Sequence, residues 1–342
     1  MKNFIELQKK IAPEISDMIE KRYSILLTIK YNQPIGRRNI SSFMGQTERW
    51  VRSELDVLKN QNLIEIQSAG MHITEEGEEI ISKLSAYIGE VKGLSMLSKN
   101  LKTMLGVKEV LIVPGNCEKR PEVLNEMGRR AFDYMKECIK DNSVIAVSGG
   151  YSTMAMAENA RAVGNKKTIV IPATGGHSGN LETQSNAVAE RLAHKIDGDY
   201  YPLYLPESIN DEMLHTMLAD SHISKVVDLI GQADIFLFGL STIEQIAERR
   251  KLDEDTKKYL EGKGAIAEAF GYYFGEDGEV ILKKGSIGIR IEDCGNINTV
   301  ISIAGGITKA KAIVCVNRGK NKNILVIDEK AAEEIYDIMR GE

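Results

Sequence analysis

From residue 110 onward the chain repeats one pattern, a short and continuously apolar run followed by a segment with helical spacing. The candidate strands are residues 110–113, 144–148, 168–172, 201–205, 235–238, 300–304 and 324–327. A strand that is apolar all round needs cover on both faces, so the pattern predicts a mainly parallel sheet between two layers of helices, an α/β domain. Four of the strands run into glycine-and-hydroxyl turns: Ser148-Gly149-Gly150-Tyr151-Ser152-Thr153, Ala173-Thr174-Gly175-Gly176-His177-Ser178, Gly239-Leu240-Ser241-Thr242 and Ala304-Gly305-Gly306-Ile307-Thr308-Lys309. The carboxyl ends of parallel strands share one edge, where ligands bind and where glycines let helix-start N–H groups approach phosphate oxygens. One glycine pair signifies no more than a tight turn; four at one edge predict a binding site. Neither G-x-x-x-x-G-K-[ST] nor G-x-G-x-x-G occurs, which disfavours nucleotides and dinucleotides and favours a small phosphorylated polyol. Arg249, Arg250 and Lys309 offer charge to phosphate, and Gln184, Asn186 and Glu268 offer partners to sugar hydroxyls. The competing reading of each charged residue is an exposed salt bridge.

The first ninety residues read differently. Ile15, Met18, Ile19, Ile25, Leu26 and Ile29 recur with helical spacing after Pro13, and Pro34 ends that helix. Two shorter helices follow, residues 37–44 and 47–61, separated by Gly45-Gln46. In the second, Val51, Leu55 and Leu58 make one buried stripe and turn Glu48, Arg49, Arg52, Ser53 and Asp56 outward, with Thr47 placed to cap its start. Residues 63–67 and 71–74 around Ser68-Ala69-Gly70 read as a β-hairpin. Helix, turn, helix and wing in that order predict a winged helix-turn-helix that inserts its last helix into the major groove of double-stranded DNA. The candidate DNA-contacting residues are Arg37, Arg38, Thr47, Glu48, Arg49, Arg52 and Ser53. Trp50, the only tryptophan, is read as cover for the module's core rather than as a base-stacking ring.

Charge agrees with a localised DNA contact. The whole chain of 342 residues stands at −5, yet residues 21–60 carry eight Lys or Arg against three Asp or Glu, a local +5. The start carries charges where a signal peptide would be apolar, and no apolar run is long enough to span a bilayer, so a cytoplasmic protein without membrane association is expected. Cys117, Cys138, Cys294 and Cys315 are too scattered for a zinc site or a disulfide framework, and no cofactor or metal is expected. The domain boundary is placed at Gly89, giving a DNA-binding domain of residues 1–89 and an effector domain of residues 90–342.

Several blocks together carry a family likeness: Pro34-Ile35-Gly36-Arg37-Arg38, Met127-Gly128-Arg129, Ala247-Glu248-Arg249-Arg250, Glu268-Ala269-Phe270-Gly271-Tyr272-Tyr273-Phe274, and Ala304-Gly305-Gly306 with Lys309. Through them nearly the whole chain resembles the SorC family of bacterial sugar-responsive regulators. The resemblance implies a winged helix-turn-helix joined to a sugar-binding domain similar to sugar-phosphate isomerases. It also implies a tetramer, a dimer of dimers, that represses glycolytic genes and is released from operator DNA by a phosphorylated sugar, fructose-1,6-bisphosphate first among candidates. Carried over by motif, the effector residues are Gly149, Gly150, Tyr151, Ser152, Thr174, Gly175, Gln184, Arg250, Glu268 and Lys309.

Two departures from the family pattern stand out: it has two threonines where this chain has Tyr151-Ser152, and an arginine where this chain has Thr174. The missing arginine removes a charge-assisted phosphate contact of about 1.5–3 kcal/mol, a factor of roughly ten to a hundred in affinity. A second class of function, an isomerase-like enzyme with a regulatory head, would need a positioned base. Glu268 is the best candidate, but no Asp–His pair accompanies it.

Overall fold

The computed structural model describes residues 2–176, 180–207, 209–284, 287–320 and 322–341. They form two compact units, Met1–Met96 and Leu97–Glu342.

In the first unit α1 (Lys2–Ile11), α2 (Pro13–Asn32), α3 (Arg37–Met44) and α4 (Glu48–Asn60) precede a hairpin of β1 (Ile64–Gln67) and β2 (Gly70–Ile73), and α5 (Glu75–Val91) follows. The Thr47 hydroxyl accepts from the Trp50 amide at 3.3 Å and starts α4. Val51, Leu55 and Leu58 are buried, and they meet Ile25, Leu26, Ile29, Ile40 and Ile81 in one core. The hairpin is antiparallel, pairing Ile64 with Ile73 and Gln67 with Gly70. A third backbone segment joins it: Ile35, in the link between α2 and α3, exchanges main-chain hydrogen bonds with Met71 at 3.3 and 2.9 Å. Helices α2, α3 and α4 with a three-segment wing make this unit winged-helix-like. Trp50 is half-buried and packs against the core, with the Lys21 ammonium 6.0 Å from its ring. Sequence periodicity did not suggest α1. Helix α5 runs through Gly89 to Val91.

The second unit comprises α6 (Leu94–Leu105), β3 (Glu109–Val113), α7 (Pro121–Cys138), β4 (Ser143–Val147), α8 (Tyr151–Glu158), β5 (Thr168–Pro172), α9 (Ser185–Ile196), β6 (Asp199–Tyr200), α10 (Asp211–Met217), α11 (Ser221–Gly231), β7 (Ile235–Thr242), α12 (Ile243–Arg250), α13 (Glu254–Gly262), β8 (Ala267–Ala269), β9 (Tyr272–Phe274), β10 (Val280–Lys283), β11 (Thr299–Ile303), α14 (Ala310–Asn317), β12 (Asn323–Asp328) and α15 (Glu329–Arg340). Its parallel strands lie in the order β6-β5-β4-β7-β11-β12-β3. Alternate residues serve opposite faces: Ile145, Val147, Ile324 and Val326 belong to one core, and Val144, Ala146, Leu325 and Ile327 to the other. Apolar side chains on both faces explain why these strands are unbroken apolar runs in the sequence.

Two features correct the sequence reading. Residues 201–205 are not a strand, because the Asn186 side chain takes both backbone groups of Leu203, accepting from its N–H at 3.0 Å and donating to its carbonyl at 2.9 Å. Only Asp199–Tyr200 pairs with β5. The sheet is also mixed: β7 continues past Phe238 to Thr242, where it pairs antiparallel with β8, which leads to β9 and β10. The connection from β8 to β9 is made at Phe270 and Gly271, with positive φ of 39° and 89°.

Candidate functional site

Strand order decides where a cleft can open. The chain steps from β4 out to β5 and β6 on one side, then returns to β7 and moves out to β11 and β12 on the other, so the connections diverge between β4 and β7. A narrow cleft lies there. Its walls are Ser148 to Ser152 after β4, Thr174 and Thr183 from the connection between β5 and α9, Gly239 to Ser241 of β7, Arg249 and Arg250 ending α12, Glu268 and Phe270 of the antiparallel extension, and Lys309.

The loop after β4 is shaped by close backbone approach. The Gly150 N–H donates to the Thr183 carbonyl at 2.9 Å, and the Gly149 N–H donates to the Ser185 hydroxyl at 2.9 Å. A Cβ on Gly149 would stand 2.5 Å from the Thr183 carbonyl oxygen. Gly150 has φ of +143°, a conformation that favours glycine. No side chain caps α8 behind it, so the first amides of the helix, those of Tyr151, Ser152 and Thr153, have no partner within it. Together they make a patch of positive potential facing the cleft.

The three cations differ in their commitments. Arg250 is held between two buried carboxylates: its Nη1 donates to both Glu207 oxygens at 2.8 and 2.7 Å, and its Nη2 to Glu268 at 3.2 Å. Burial works against this charge, but Glu268 and Glu207 outweigh it and raise the guanidinium above its ordinary pKa. Arg249 also lines the cleft. Burial lowers its pKa, with Glu268 opposing and Arg250 adding to the drop. Lys309 donates to the Leu240 carbonyl at 3.3 Å, and burial followed by the charge of Arg249 lowers its pKa.

Of the expected effector residues, the fold brings Gly149, Gly150, Tyr151, Ser152, Thr174, Arg250, Glu268 and Lys309 to the cleft, and leaves Gly175 and Gln184 out of its lining. Gly175 packs against the backbone of Leu205, Pro206 and Glu207. Asn186, also proposed for hydroxyls, is occupied with Leu203 and the Tyr200 hydroxyl. Thr174 is buried and its hydroxyl lies 2.6 Å from that of Ser185. Tyr151 is 56 % exposed, so its ring does not fill the interior. Of the fourth glycine turn only Lys309 lines the cleft, and the Gly306 amide donates to Asp328 at 3.0 Å. His177 and Ser178 lie outside the described residues. Sequence reasoning missed Glu207, whose pairing with Arg250 spans 43 positions and leaves no local signal.

On the first unit, Arg37, Arg38, Thr47, Glu48, Arg49, Arg52 and Ser53 are all exposed. Arg37 and Arg38 begin α3, where a helix dipole disfavours cations. Glu48 offsets them weakly, 3.7 Å from Arg37 and 3.6 Å from Arg38. Arg49 and Arg52 stand on the solvent face of α4.

Residues 18–88 match the CggR N-terminal DNA binding domain, and residues 89–337 match the family described as "Putative sugar-binding domain". The chain is 37 % identical to the central glycolytic genes regulator of Priestia megaterium over 337 residues, 98 % of each chain, and 35 % identical to that of Bacillus subtilis over 98 % of this chain and 99 % of the relative. The chain belongs to the SorC family of transcriptional regulators.

Solved structures agree. A SorC family regulator from Enterococcus faecalis superposes with a TM-score of 0.67 at 31 % identity, covering 70 % of this chain and 99 % of that one. The full-length sorbitol operon regulator SorC of Klebsiella pneumoniae shares the fold over 93 % of this chain and 99 % of its own, with a TM-score of 0.61 at 17 % identity. This SorC-family chain is a transcriptional regulator with a DNA-binding and a sugar-binding domain. Among the described residues no helix is long and apolar enough to cross a membrane.

Proposed function

We propose that this SorC-family regulator is a cytoplasmic repressor of glycolytic genes that binds operator DNA through α3, α4 and the wing, and leaves it when the cleft takes up a phosphorylated sugar. The observation that carries the sensor half is the convergence of the uncapped α8 amides, Arg249 and Lys309 on one cleft. Anionic oxygens suit that combination. Arg249 is assigned as a phosphate ligand alongside Lys309, and it supplies the positive charge that Thr174 lacks. Arg250 orders Glu207 and Glu268, and Glu268 meets the sugar hydroxyls. Fructose-1,6-bisphosphate is the leading effector because the family resemblance implies it; the two relatives are named as regulators of central glycolytic genes. The assembly on DNA is a tetramer built as a dimer of dimers.

The likeness to sugar-phosphate isomerases is one of fold. Glu268 accepts from Arg250 at 3.2 Å and from the Gly271 amide at 2.9 Å, so its Oε1 is engaged as an acceptor rather than standing free as a base.

A gel shift on DNA upstream of the protein's own gene, with and without fructose-1,6-bisphosphate, tests both halves. Retarded DNA that is released by the sugar is the expected result. A thermal-shift panel identifies the effector, because a specific ligand raises stability by mass action. If no sugar phosphate raises the melting temperature, the sensor assignment falls while the DNA assignment stands.

A further inference from the structure

A second cavity, of about 410 Å³, lies beneath the antiparallel extension of the larger unit. Its floor is apolar, made by Phe238, Phe270, Phe274, Val300 and Val316, all of them buried. Its rim carries Lys320 and Lys322 against one acid, Glu292. All three rim residues are exposed, while Cys294, which also lines the cavity, is half-buried and its thiol is pushed up to about 11 by burial. An apolar chamber of this size with a cationic mouth has the build of a small-molecule site, since an apolar body fills it and a few polar groups fix orientation. Water alone is a poor occupant of a chamber floored by aromatic and branched side chains.

We propose that this cavity binds a small amphipathic anion, its aromatic or aliphatic body on the three phenylalanines and its acid group at Lys320 and Lys322. Charge selects the head and the floor selects the body. Phe270 also lines the sugar-phosphate cleft, and it sits at φ +39° directly before Gly271, whose amide is bound to Glu268. One residue therefore lines both sites. An occupant that shifts Phe270 also shifts the Gly271–Glu268 hydrogen bond, so the second ligand changes sugar-phosphate affinity. That coupling rests on the proposed sensor function; binding to the second cavity does not.

The test uses the full-length protein and 8-anilinonaphthalene-1-sulfonate, an aromatic sulfonate whose fluorescence reports transfer from water, with decanoate as competitor. One saturable site per chain is expected. Val316→Trp, which places an indole in the chamber, weakens it, and the surface variant Lys320→Glu/Lys322→Glu weakens it by roughly tenfold or more. Saturating decanoate slows maleimide labelling of Cys294, followed by peptide mass spectrometry, and leaves labelling of Cys138 unchanged. Undiminished dye binding in the double-lysine variant overturns the proposal, as does unprotected Cys294. Protection of Cys294 without ligand, lost on dilution to the monomer, places a second copy of the chain there and overturns it equally. If decanoate binds and protects Cys294 while sugar-phosphate titrations stay unchanged, the site stands and the coupling through Phe270 fails.

Discussion

The adjacent arginines Arg249 and Arg250 are alike in sequence and opposite in use. Arg250, with a side chain only 10 % exposed, neutralises two buried carboxylates. Arg250→Ala leaves Glu207 and Glu268 without their cation, and thermal or urea denaturation is expected to show a loss of about 3–5 kcal/mol. Arg249→Ala is expected to leave stability nearly unchanged and weaken sugar-phosphate binding roughly ten- to a hundredfold by isothermal titration. Equal ligand affinity in that variant would remove Arg249 from the site. Lys309 makes a prediction with a definite sign. Burial holds it below its unfolded value of 10.5, so the folded state carries a penalty at any pH low enough to protonate the amine in both states. Stability is recovered as pH rises through the lowered pKa towards 10.5. Lys309→Met is therefore expected to be more stable than the native chain at pH 7 in urea unfolding, by a margin that shrinks at alkaline pH. The same variant should lose sugar-phosphate affinity.

At the level of elements, Gly70 ties the wing to the link between α2 and α3. It has φ of +143°, and a Cβ there would lie 2.9 Å from the Ile35 nitrogen. Gly70→Ala should cost about 1–3 kcal/mol in chemical denaturation of the first unit. On α4 the two faces separate: Leu55→Ala is expected to destabilise by about 2–5 kcal/mol. Arg52→Ala should spare the fold and weaken operator binding by about 1–3 kcal/mol in a gel shift. Which elements were legible beforehand follows from the range of the interactions that make them. The parallel strands and α4 announce themselves because burial imposes a period on consecutive residues. The segment around Leu203 misleads because it is as apolar as a strand, while the Asn186 side chain, 17 positions earlier, takes its hydrogen bonds. β8 and β9 are three residues each, too short for any period to emerge. The glycine loops pointed to the sheet edge where the cleft opens, but which arginine is committed to carboxylates among the described residues depended on Glu207, distant in sequence.

For the whole molecule, the division at Met96 predicts separable activities. A fragment spanning Leu94–Glu342, which keeps α6 whole, is expected to bind sugar phosphate with the affinity of the full chain in isothermal titration and to leave operator DNA unshifted. Failure of that fragment to fold would show that the larger unit depends on residues before it. The sole tryptophan, Trp50, stands half-buried at the start of the helix proposed for the major groove, and the cleft proposed for sugar phosphate contains none. Intrinsic emission excited at the indole band is thus a built-in, single-site optical reporter of the DNA-reading unit. A change in that emission on adding sugar phosphate to the intact protein would be light from one unit recording an event in the other, a label-free readout of the signal's passage that requires neither dye nor operator.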